Sequence, residues 1–380
     1  MQRAAWAAIA AASTCAVGIG TTAAAYLHAR HYVLRRRSVL IPRFSALSGA
    51  PGLRILHLSD LHALARHKKL LEFTRHLSMI NPDLVVITGD LISEDAAIEP
   101  LITALRAFHG VPGIFVCGSN DYFSPRFRNP LRYLVRNSND GQDNDGQDCA
   151  PIGGKSGKHQ PLATAKLIAA LEELGFVNLT NTRATLRIAN FAVHAIGVDD
   201  PHMGLDRYPE PLSEPEQPAL SPEAGGPNET SEQIAQLTIG VTHAPYSHVL
   251  NRMAADGCEL IFAGHTHGGQ VCLPGHRALV TNCDLPPRLA SGLFAWPPQH
   301  ISPIKGNGAV IVAESAQTAG HSTSSHPAAY VKNDAVFSES TAPSPARTWV
   351  HISAGLGTSP FVPLRTWCAP EAIQIDVINM

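Results

Sequence analysis

The sequence has almost no net charge and no basic segment interleaved with aromatic residues. Its 29 basic and 31 acidic residues nearly cancel, and aromatic residues make up only 6% of the 380 positions. Proteins that bind nucleic acids need a positively charged surface that follows the phosphate backbone. We therefore expect no nucleic-acid partner. Composition leaves the oligomeric state open.

Paired cysteines are also lacking. The seven cysteines are odd in number and include no C-x-x-C pair. Cys117, Cys258 and Cys272 lie in or beside apolar runs typical of strands, where a free thiol packs as a small apolar side chain. The sequence therefore predicts buried free thiols.

Apolar periodicity is absent from three polar stretches, residues 137–160, 208–232 and 317–347. Such segments cannot bury enough surface to offset the entropy lost when they become ordered. We expect them to be insertions in a single domain that covers residues 38–380, because the chain shows no internal repeat and its length suits one α/β domain.

Charged residues are missing from residues 4–27, an alanine-rich apolar run. A helix of roughly 20 residues spans a bilayer, and a cleaved signal peptide is the alternative interpretation. Basic residues follow the run at Arg30, Arg35, Arg36 and Arg37. By the positive-inside rule, basic residues on this side of a membrane helix indicate that the later chain is cytoplasmic. We expect residues 1–37 to be a single-pass anchor with a basic flank, which places the rest of the chain in the cytoplasm at the cell membrane.

Two histidines stand two positions apart in residues 264–270, directly after the apolar run 260–263. A strand that ends at Ala263 delivers His265 and His267 into the following loop, where alternate residues can face one cavity. Neutral imidazole is the commonest ligand of transition metals. The pattern predicts a metal site at the carboxyl end of a strand.

The same arrangement, an apolar strand that ends in metal-ligating residues, occurs at four earlier points. Residues 65–81 have helical spacing and complete a β-α-β unit between the first two of these strands. Ligands of open α/β sheets bind outside the carboxyl ends of the strands, so we expect these loops to converge. The four earlier strand exits carry Asp60 with His62, then Asp90, then Asn120 with Asp121, and last His243.

This series of motifs resembles the calcineurin-like metallophosphoesterase superfamily over most of the chain after the N-terminal segment. Residues 264–273 and 353–358 are most similar to its membrane-associated bacterial phosphodiesterase branch. The resemblance implies an α/β fold, a four-layer α/β/β/α sandwich of two mixed sheets flanked by helices, here preceded by the predicted transmembrane helix. It also implies hydrolysis of phosphoric esters at a binuclear metal centre.

The resemblance further implies how two divalent ions, such as Mn, Fe or Zn, are held. Two ions roughly 3.5–4 Å apart can share a hydroxide that attacks phosphorus, and ligation by Asp, Asn and His suits such ions. In the family, one ion is held at the positions of Asp60, His62 and His267. The other is held at the positions of Asn120, His243 and His265, and Asp90 bridges the two.

One loop departs from the family pattern. Where the family usually has Gly-Asn-His followed by an acid, this chain has Gly118-Ser119-Asn120-Asp121. An alignment without a gap puts Ser119 at the ligand position, whereas a shift of one residue keeps Asn120 there; an amide oxygen is the better ligand, which favours the shift. Neither alignment retains the histidine that assists the leaving group. The candidates for catalytic assistance are Asn120, Asp121 and His202, with His248 as a further histidine.

The predicted function is metal-dependent hydrolysis of a phosphodiester or pyrophosphate bond, in a lipid-linked substrate if the site lies at a membrane. One alternative is a nucleotide phosphodiesterase or a phosphatase that acts on soluble substrates. Another is a metal-binding membrane scaffold with impaired catalysis. Turnover, rather than metal content, distinguishes the scaffold from the enzymes.

Overall fold

The structure is a computed structural model that describes residues 2–41, 52–125, 160–211, 235–298, 331–333, 348–358 and 361–378. The three polar stretches predicted to be insertions fall mostly outside these ranges, so their character stays a prediction. Residues 331–333 of the third stretch form a short strand.

Helices form the two outer layers of the fold. Their apolar residues recur at helical spacing, as at Ile98, Leu101, Ile102 and Leu105, which are all buried. The α-helices in the described ranges are α1 (Gln2–His28), α2 (Lys68–His76), α3 (Ile98–Leu105), α4 (Ser119–Tyr122), α5 (Thr164–Glu173) and α6 (Ser247–Ala255).

Strands alternate with these helices along the chain. Several are buried on both faces, as the continuous apolar runs at 84–87 and 260–263 require. The described strands are β1 (Val33–Leu40), β2 (Leu53–Leu58), β3 (Leu84–Ile87), β4 (Gly113–Phe115), β5 (Phe176–Asn178), β6 (Thr182–Ile188), β7 (Phe191–Gly197), β8 (Ala235–Val241), β9 (Leu260–Ala263), β10 (Cys272–Leu273), β11 (Arg277–Ala278), β12 (Gly292–Trp296), β13 (Val331–Asn333), β14 (Thr348–Ile352) and β15 (Glu371–Ile378).

Two mixed sheets form the centre of the fold. The first has seven strands in the order β13-β1-β15-β2-β3-β4-β5, and the second has six in the order β12-β14-β9-β8-β7-β6. Strands β2 to β5 run parallel to one another, as do β7, β8, β9 and β14. The loops that follow each parallel set therefore leave from one edge of its sheet.

Apolar side chains fill three interfaces between the layers. Leu53 and Ile55 of the first sheet pack with Ile239 and Phe262 of the second. The opposite face of the first sheet packs on α2, α3 and α5, and the opposite face of the second packs on α6. The predicted α/β fold, with two mixed sheets flanked by helices, is confirmed.

The apolar N-terminal run forms helix α1. The end of this helix packs on the domain, since Ala25 is buried and its carbonyl oxygen accepts a hydrogen bond from the Arg365 backbone N–H. Within the described part of the chain, no helix is both long and apolar enough to cross a membrane. The transmembrane helix expected from the sequence is therefore not found. Alanine dominates the run, and its single methyl group adds little apolar area.

Strand β1 begins inside the segment that the sequence analysis placed in a basic flank. It lies between β13 and β15 in the first sheet, with Leu34 and Val39 buried. The Arg35 guanidinium donates to the Glu371 carboxylate of the neighbouring strand at 2.5 Å. Residues 33–37 thus belong to the first sheet, and the Arg35 side chain pairs within it.

Candidate metal centre

The predicted ligands lie in loops that leave the carboxyl ends of parallel strands in both sheets. Asp60 and His62 follow β2, Asp90 follows β3, and His243 follows β8. His265 and His267 follow β9. All of these side chains except His267 are buried, so the loops enclose a largely desolvated group of carboxylates and imidazoles.

One group consists of Asp60, His62 and His267. One ligand atom from each lies within 4.8 Å of the others. The Nε2 atoms of the two histidines are 3.0 Å apart, and His267 Nε2 is 3.7 Å from an Asp60 oxygen. This is the set that the resemblance assigns to one metal ion.

Asp90 connects this group with a second one, which consists of Asp60, Asp90 and His243. Its Oδ2 lies 3.4 Å from His62 Nε2, and its Oδ1 lies 3.5 Å from His243 Nε2. The ring of His265 adjoins the second group, with Nδ1 3.3 Å from His243 Nε2. One carboxylate therefore faces histidines of both groups, as a bridging ligand must.

Hydrogen bonds to backbone carbonyls determine which imidazole nitrogens are free. His243 Nδ1 donates to the Thr88 carbonyl at 2.7 Å, and His265 Nε2 donates to the Asn282 carbonyl at 3.2 Å, because a carbonyl oxygen can only accept. In the neutral rings, the lone pairs of His243 Nε2 and His265 Nδ1 then point into the same space. A metal ion accepts both, and such carbonyl partners are typical of histidines that bind metals.

The charges of the site also favour a bound cation. Burial lowers the pKa of His243, but the negative charges of Asp90, Asp200 and Asp60 outweigh burial and raise it to about 9, so this ring carries a proton on Nε2 that a bound metal ion would replace. Burial lowers the pKa of His265 and of His267 well below the usual value, so both keep a lone pair available. The residues present therefore fit a site for two divalent metal ions.

The backbone of the ligand loops is held in the left-handed region, which few residues other than glycine adopt. Strain of this kind persists only where the surrounding structure fixes it, and it is concentrated at functional sites. The φ angles are 49° at Asp60, 42° at His62, 54° at Asp90, 70° at His265 and 49° at His267.

Gly264 leaves room for the ligand loops to meet. A Cβ atom at this position would lie 1.9 Å from Ser59 Oγ and 2.4 Å from Asp60 Oδ2. Both are far below any normal contact, so the glycine allows the loop after β9 to pass against the loop after β2.

Gly264→Ala is expected to disturb metal binding more than folding. Crowding in a packed region costs about 1–3 kcal/mol, and the clash falls directly on a metal ligand. Metal affinity and thermal melting should be measured together, with Gly20→Ala as control, because Gly20, like Gly264, has no positive φ but has open space around its Cβ position. A Gly264→Ala protein that binds metal normally would contradict this account.

The loop after β4 places Asn120 against Asp90. The Asn120 backbone N–H and side-chain amide donate to the two Asp90 oxygens at 2.8 and 2.7 Å. Asn120 thus lies beside Asp90, and its assignment as a metal ligand in place of Ser119 stays a prediction. Asp121 is fully buried and accepts from the backbone N–H groups of Gly118, Leu91 and Ile92, which favours a positioning role over a catalytic one.

His202 lies beside the second group. Its ring centre is 4.5 Å from that of His265, and its Nδ1 is 3.1 Å from the Tyr246 hydroxyl. His248 is instead paired with Asp206, at 2.9 Å, and is mostly exposed. Of these two histidines, the structure brings His202 to the metal ligands.

Sequence reasoning missed Arg365, which is fully buried beneath the site. Its Nη2 donates to the carbonyls of Ala354 and Gly357 at 2.7 Å each and lies 3.4 Å from His267 Nδ1. Its Nη1 donates to the His267 carbonyl at 3.3 Å. The guanidinium therefore joins the ligand His267 to the loop after β14. A lone arginine in an irregular segment carries no pattern that could have indicated this.

Sequence reasoning also missed Asp200, whose carboxylate is fully buried and accepts from the His202 backbone N–H. Burial raises the pKa of Asp200 to about 7. The nearby His243 lowers this pKa, whereas the negative charge of Asp90 raises it further. Asp200 thus fixes the backbone of His202 close to the ligands.

Comparison with known proteins agrees with this geometry. Residues 53–269 match the family described as calcineurin-like phosphoesterase. The chain belongs to the calcineurin-like phosphoesterase family. It is therefore a hydrolase of phosphoester bonds, in a family that typically binds two divalent metal ions. The matched range contains every predicted metal ligand, whereas Arg365 lies outside it.

The calcineurin-like phosphoesterase is also similar to individual proteins. It is 28% identical over 261 residues to the uncharacterized protein YpbG of Bacillus subtilis (strain 168), covering 67% of this chain and 77% of that protein. Phosphopantetheinyl hydrolase from Mycobacterium tuberculosis is 14% identical, with 57% of this chain and 83% of that one covered and a TM-score of 0.30. A dimetal phosphatase from Danio rerio is 15% identical, with 65% and 92% covered and a TM-score of 0.30. None of these similarities supports the membrane-associated branch in particular.

Proposed function

We propose that this phosphoesterase hydrolyses a phosphodiester or pyrophosphate bond by means of two divalent metal ions. The observation that carries the proposal is the position of Asp90, whose two oxygens face His62 in one ligand group and His243 in the other. When bound, two such ions lower the pKa of a water molecule toward neutrality and stabilise the phosphoryl oxygens during in-line displacement. Mn, Fe and Zn all suit the Asp, Asn and His ligands.

The chain's own residues would orient and hold these ions. Asp60, His62 and His267 form one set of ligands, and His243, His265 and Asn120 form the other. Backbone carbonyls fix the orientation of the His243 and His265 rings, so neither ring has to turn before an ion binds. Preorganisation of this kind is the main contribution of a protein to metal-assisted hydrolysis.

The preference for diesters or pyrophosphates follows from the loop after β4. Asn120 cannot protonate a leaving group, and general acid catalysis is typically worth roughly 10²–10⁴-fold. A substrate with a good leaving group needs this assistance least. His202 is the residue best placed to assist, because its ring lies against His265 and bonds to the Tyr246 hydroxyl.

A lipid-linked substrate and a cytoplasmic site at the cell membrane stay predictions. They rest on the apolar N-terminal segment and the arginines after it, and Arg35 of that group is paired within the first sheet. Soluble nucleotides are the alternative substrates. Both substrate classes contain the bonds proposed here.

The proposal is tested by hydrolysis of bis-p-nitrophenyl phosphate and p-nitrophenyl phosphate in parallel, with Mn²⁺ added or chelated. The full chain should be used, because β1 already begins at Val33. We expect metal-dependent hydrolysis that is faster for the diester. Faster hydrolysis of the monoester would favour a phosphatase. A folded, metal-loaded protein that hydrolyses neither ester would contradict the proposal and favour the scaffold.

A further inference from the structure

A continuous chain of hydrogen bonds runs from the apolar interior between the sheets to the metal ligand Asp60. It begins at His351 on β14, passes to His57 on β2, and continues through two hydroxyl side chains at the ends of β3 and β2. The distances are 2.9 Å from His351 Nδ1 to His57 Nδ1, 2.9 Å from His57 Nε2 to Thr88 Oγ1, 2.6 Å from Thr88 Oγ1 to Ser59 Oγ and 2.5 Å from Ser59 Oγ to Asp60 Oδ2.

The relay, comprising His351, His57, Thr88 and Ser59, is isolated from water. His351 is 1% exposed and the other three are fully buried. The two histidines occupy the interface between the sheets, where Leu53 and Ile55 precede His57 on the same face of β2. Burying polar groups there is tolerated only if they are hydrogen-bonded, so the pairing of each member with the next is required.

Only one direction of donation satisfies the whole relay. An ionised carboxylate can only accept, so Ser59 donates to Asp60 and must accept from Thr88. Thr88 in turn accepts from His57 Nε2–H, which leaves a lone pair on His57 Nδ1. His351 Nδ1–H donates to that lone pair. Every donor therefore points toward the Asp60 carboxylate, and bonds aligned in this way strengthen one another.

Both histidines are neutral, which this direction requires. Burial lowers the pKa of His57 to about 3. Burial also lowers the pKa of His351 well below its usual value, and the neighbouring His57 adds to the effect. The relay therefore keeps this pattern of donors at neutral pH.

At its end, the relay controls one oxygen of the ligand. The His265 backbone N–H donates to both Asp60 oxygens, at 3.1 and 3.0 Å, whereas Ser59 Oγ donates to Oδ2, at 2.5 Å. The other oxygen, Oδ1, is the one that lies 3.7 Å from His267 Nε2. The Ser59 hydroxyl therefore distinguishes Oδ2 from Oδ1, and its bond fixes the rotation of the carboxylate that places Oδ1 toward the histidine.

We propose that the relay is a positioning device that fixes the Asp60 carboxylate for metal binding, an inference that rests on the proposed metal centre. It links the contact between the two sheets to the geometry of a metal ligand. Hydrogen-bond partners of metal ligands commonly contribute 10–100-fold to metal affinity, and the relay should contribute within that range.

The test is to measure Mn²⁺ affinity by isothermal titration calorimetry on the metal-free full chain carrying Thr88→Val. Valine removes the hydroxyl but keeps the shape, and the Thr88 carbonyl still accepts from His243. We expect affinity to fall by roughly 10–100-fold and Thr88→Ser to restore it. Thr74→Val is the matched control, because Thr74 is equally buried and its hydroxyl donates to the Leu70 carbonyl of the same helix, α2.

The outcomes separate the relay from the metal centre itself. Normal affinity in Thr88→Val, or an equal loss in Thr74→Val, would overturn the relay while the metal centre stands. A wild-type chain that binds no Mn²⁺ would overturn both. If Thr88→Val does not fold, His351→Phe decides in the same assay, since it removes the first donor far from the ligands: weakened binding supports the relay, and unchanged binding overturns it.

Discussion

Asp90→Asn is expected to abolish metal-dependent hydrolysis while the protein still folds. Asp90 faces both ligand groups. Removing a hydrogen-bond partner of a ligand can lower metal affinity or activity by roughly 100-fold, and replacing Asp90 itself should lower both by more. Burial opposes ionisation of Asp90, but His243, His62 and Asn120 hold its pKa below the usual value, so the variant removes a full negative charge. Bound metal and diester hydrolysis are the quantities to measure.

A suitable control for Asp90→Asn is Glu99→Gln on helix α3. It removes the same charge from an exposed carboxylate that pairs with Lys166 in the outer helical layer. We expect normal hydrolysis and normal metal content from this control. Hydrolysis at the wild-type rate by Asp90→Asn would show that Asp90 does not bridge two ions.

Arg365→Met is expected to destabilise the protein and to weaken metal binding together. The guanidinium is fully buried and donates to the carbonyls of Ala354, Gly357 and His267. Each buried acceptor left without a donor costs about 1–3 kcal/mol, so a loss on the order of 3 kcal/mol in the free energy of unfolding is expected. Denaturant unfolding of the metal-free chain measures it directly.

Two further variants define what Arg365 does. Arg365→Lys keeps the charge but not the planar fork of donors, so it should be intermediate in stability. Arg54→Met is the control outside the site, because Arg54 donates to the Ile80 carbonyl and pairs with Asp376 while remaining partly exposed. Equal loss of metal affinity in Arg54→Met would contradict a specific link between Arg365 and His267.

The predicted metal ligands could be found from sequence because each follows a strand of recognisable pattern. A strand of four to seven residues ends two or three positions before Asp90, His243 or His265, and parallel strands carry such exits to one edge. The sequence signal is local, and the rule that brings the loops together is general. The family resemblance of these motifs predicted two sheets flanked by helices.

The supporting residues could not be predicted in this way, because their partners are distant in the chain. Arg365 binds carbonyls between 8 and 98 positions away, and His57 meets His351 across 294 positions. A single buried polar residue in a strand or loop has no period that distinguishes it from a surface residue. Such residues become apparent only when the two sheets are placed face to face.

In the N-terminal region, a local charge pattern suggested a feature that differs from the one in the structure. Consecutive arginines at 35, 36 and 37 suggested a flank beside a membrane, but β1 includes all three and pairs along its whole length with β15. The strand partner comes from the far end of the chain, and Glu371 on that strand neutralises Arg35. Local charge alone could not reveal a strand whose neighbours are so distant.

The most direct test of the central claim is the number of metal ions that the full chain binds. Metal-free protein should be titrated with Mn²⁺ while bound metal and hydrolysis of bis-p-nitrophenyl phosphate are followed together. We expect two ions per chain and full hydrolysis only when both are bound. Binding of no more than one ion, or hydrolysis that persists after complete removal of metal, would contradict a binuclear metal centre.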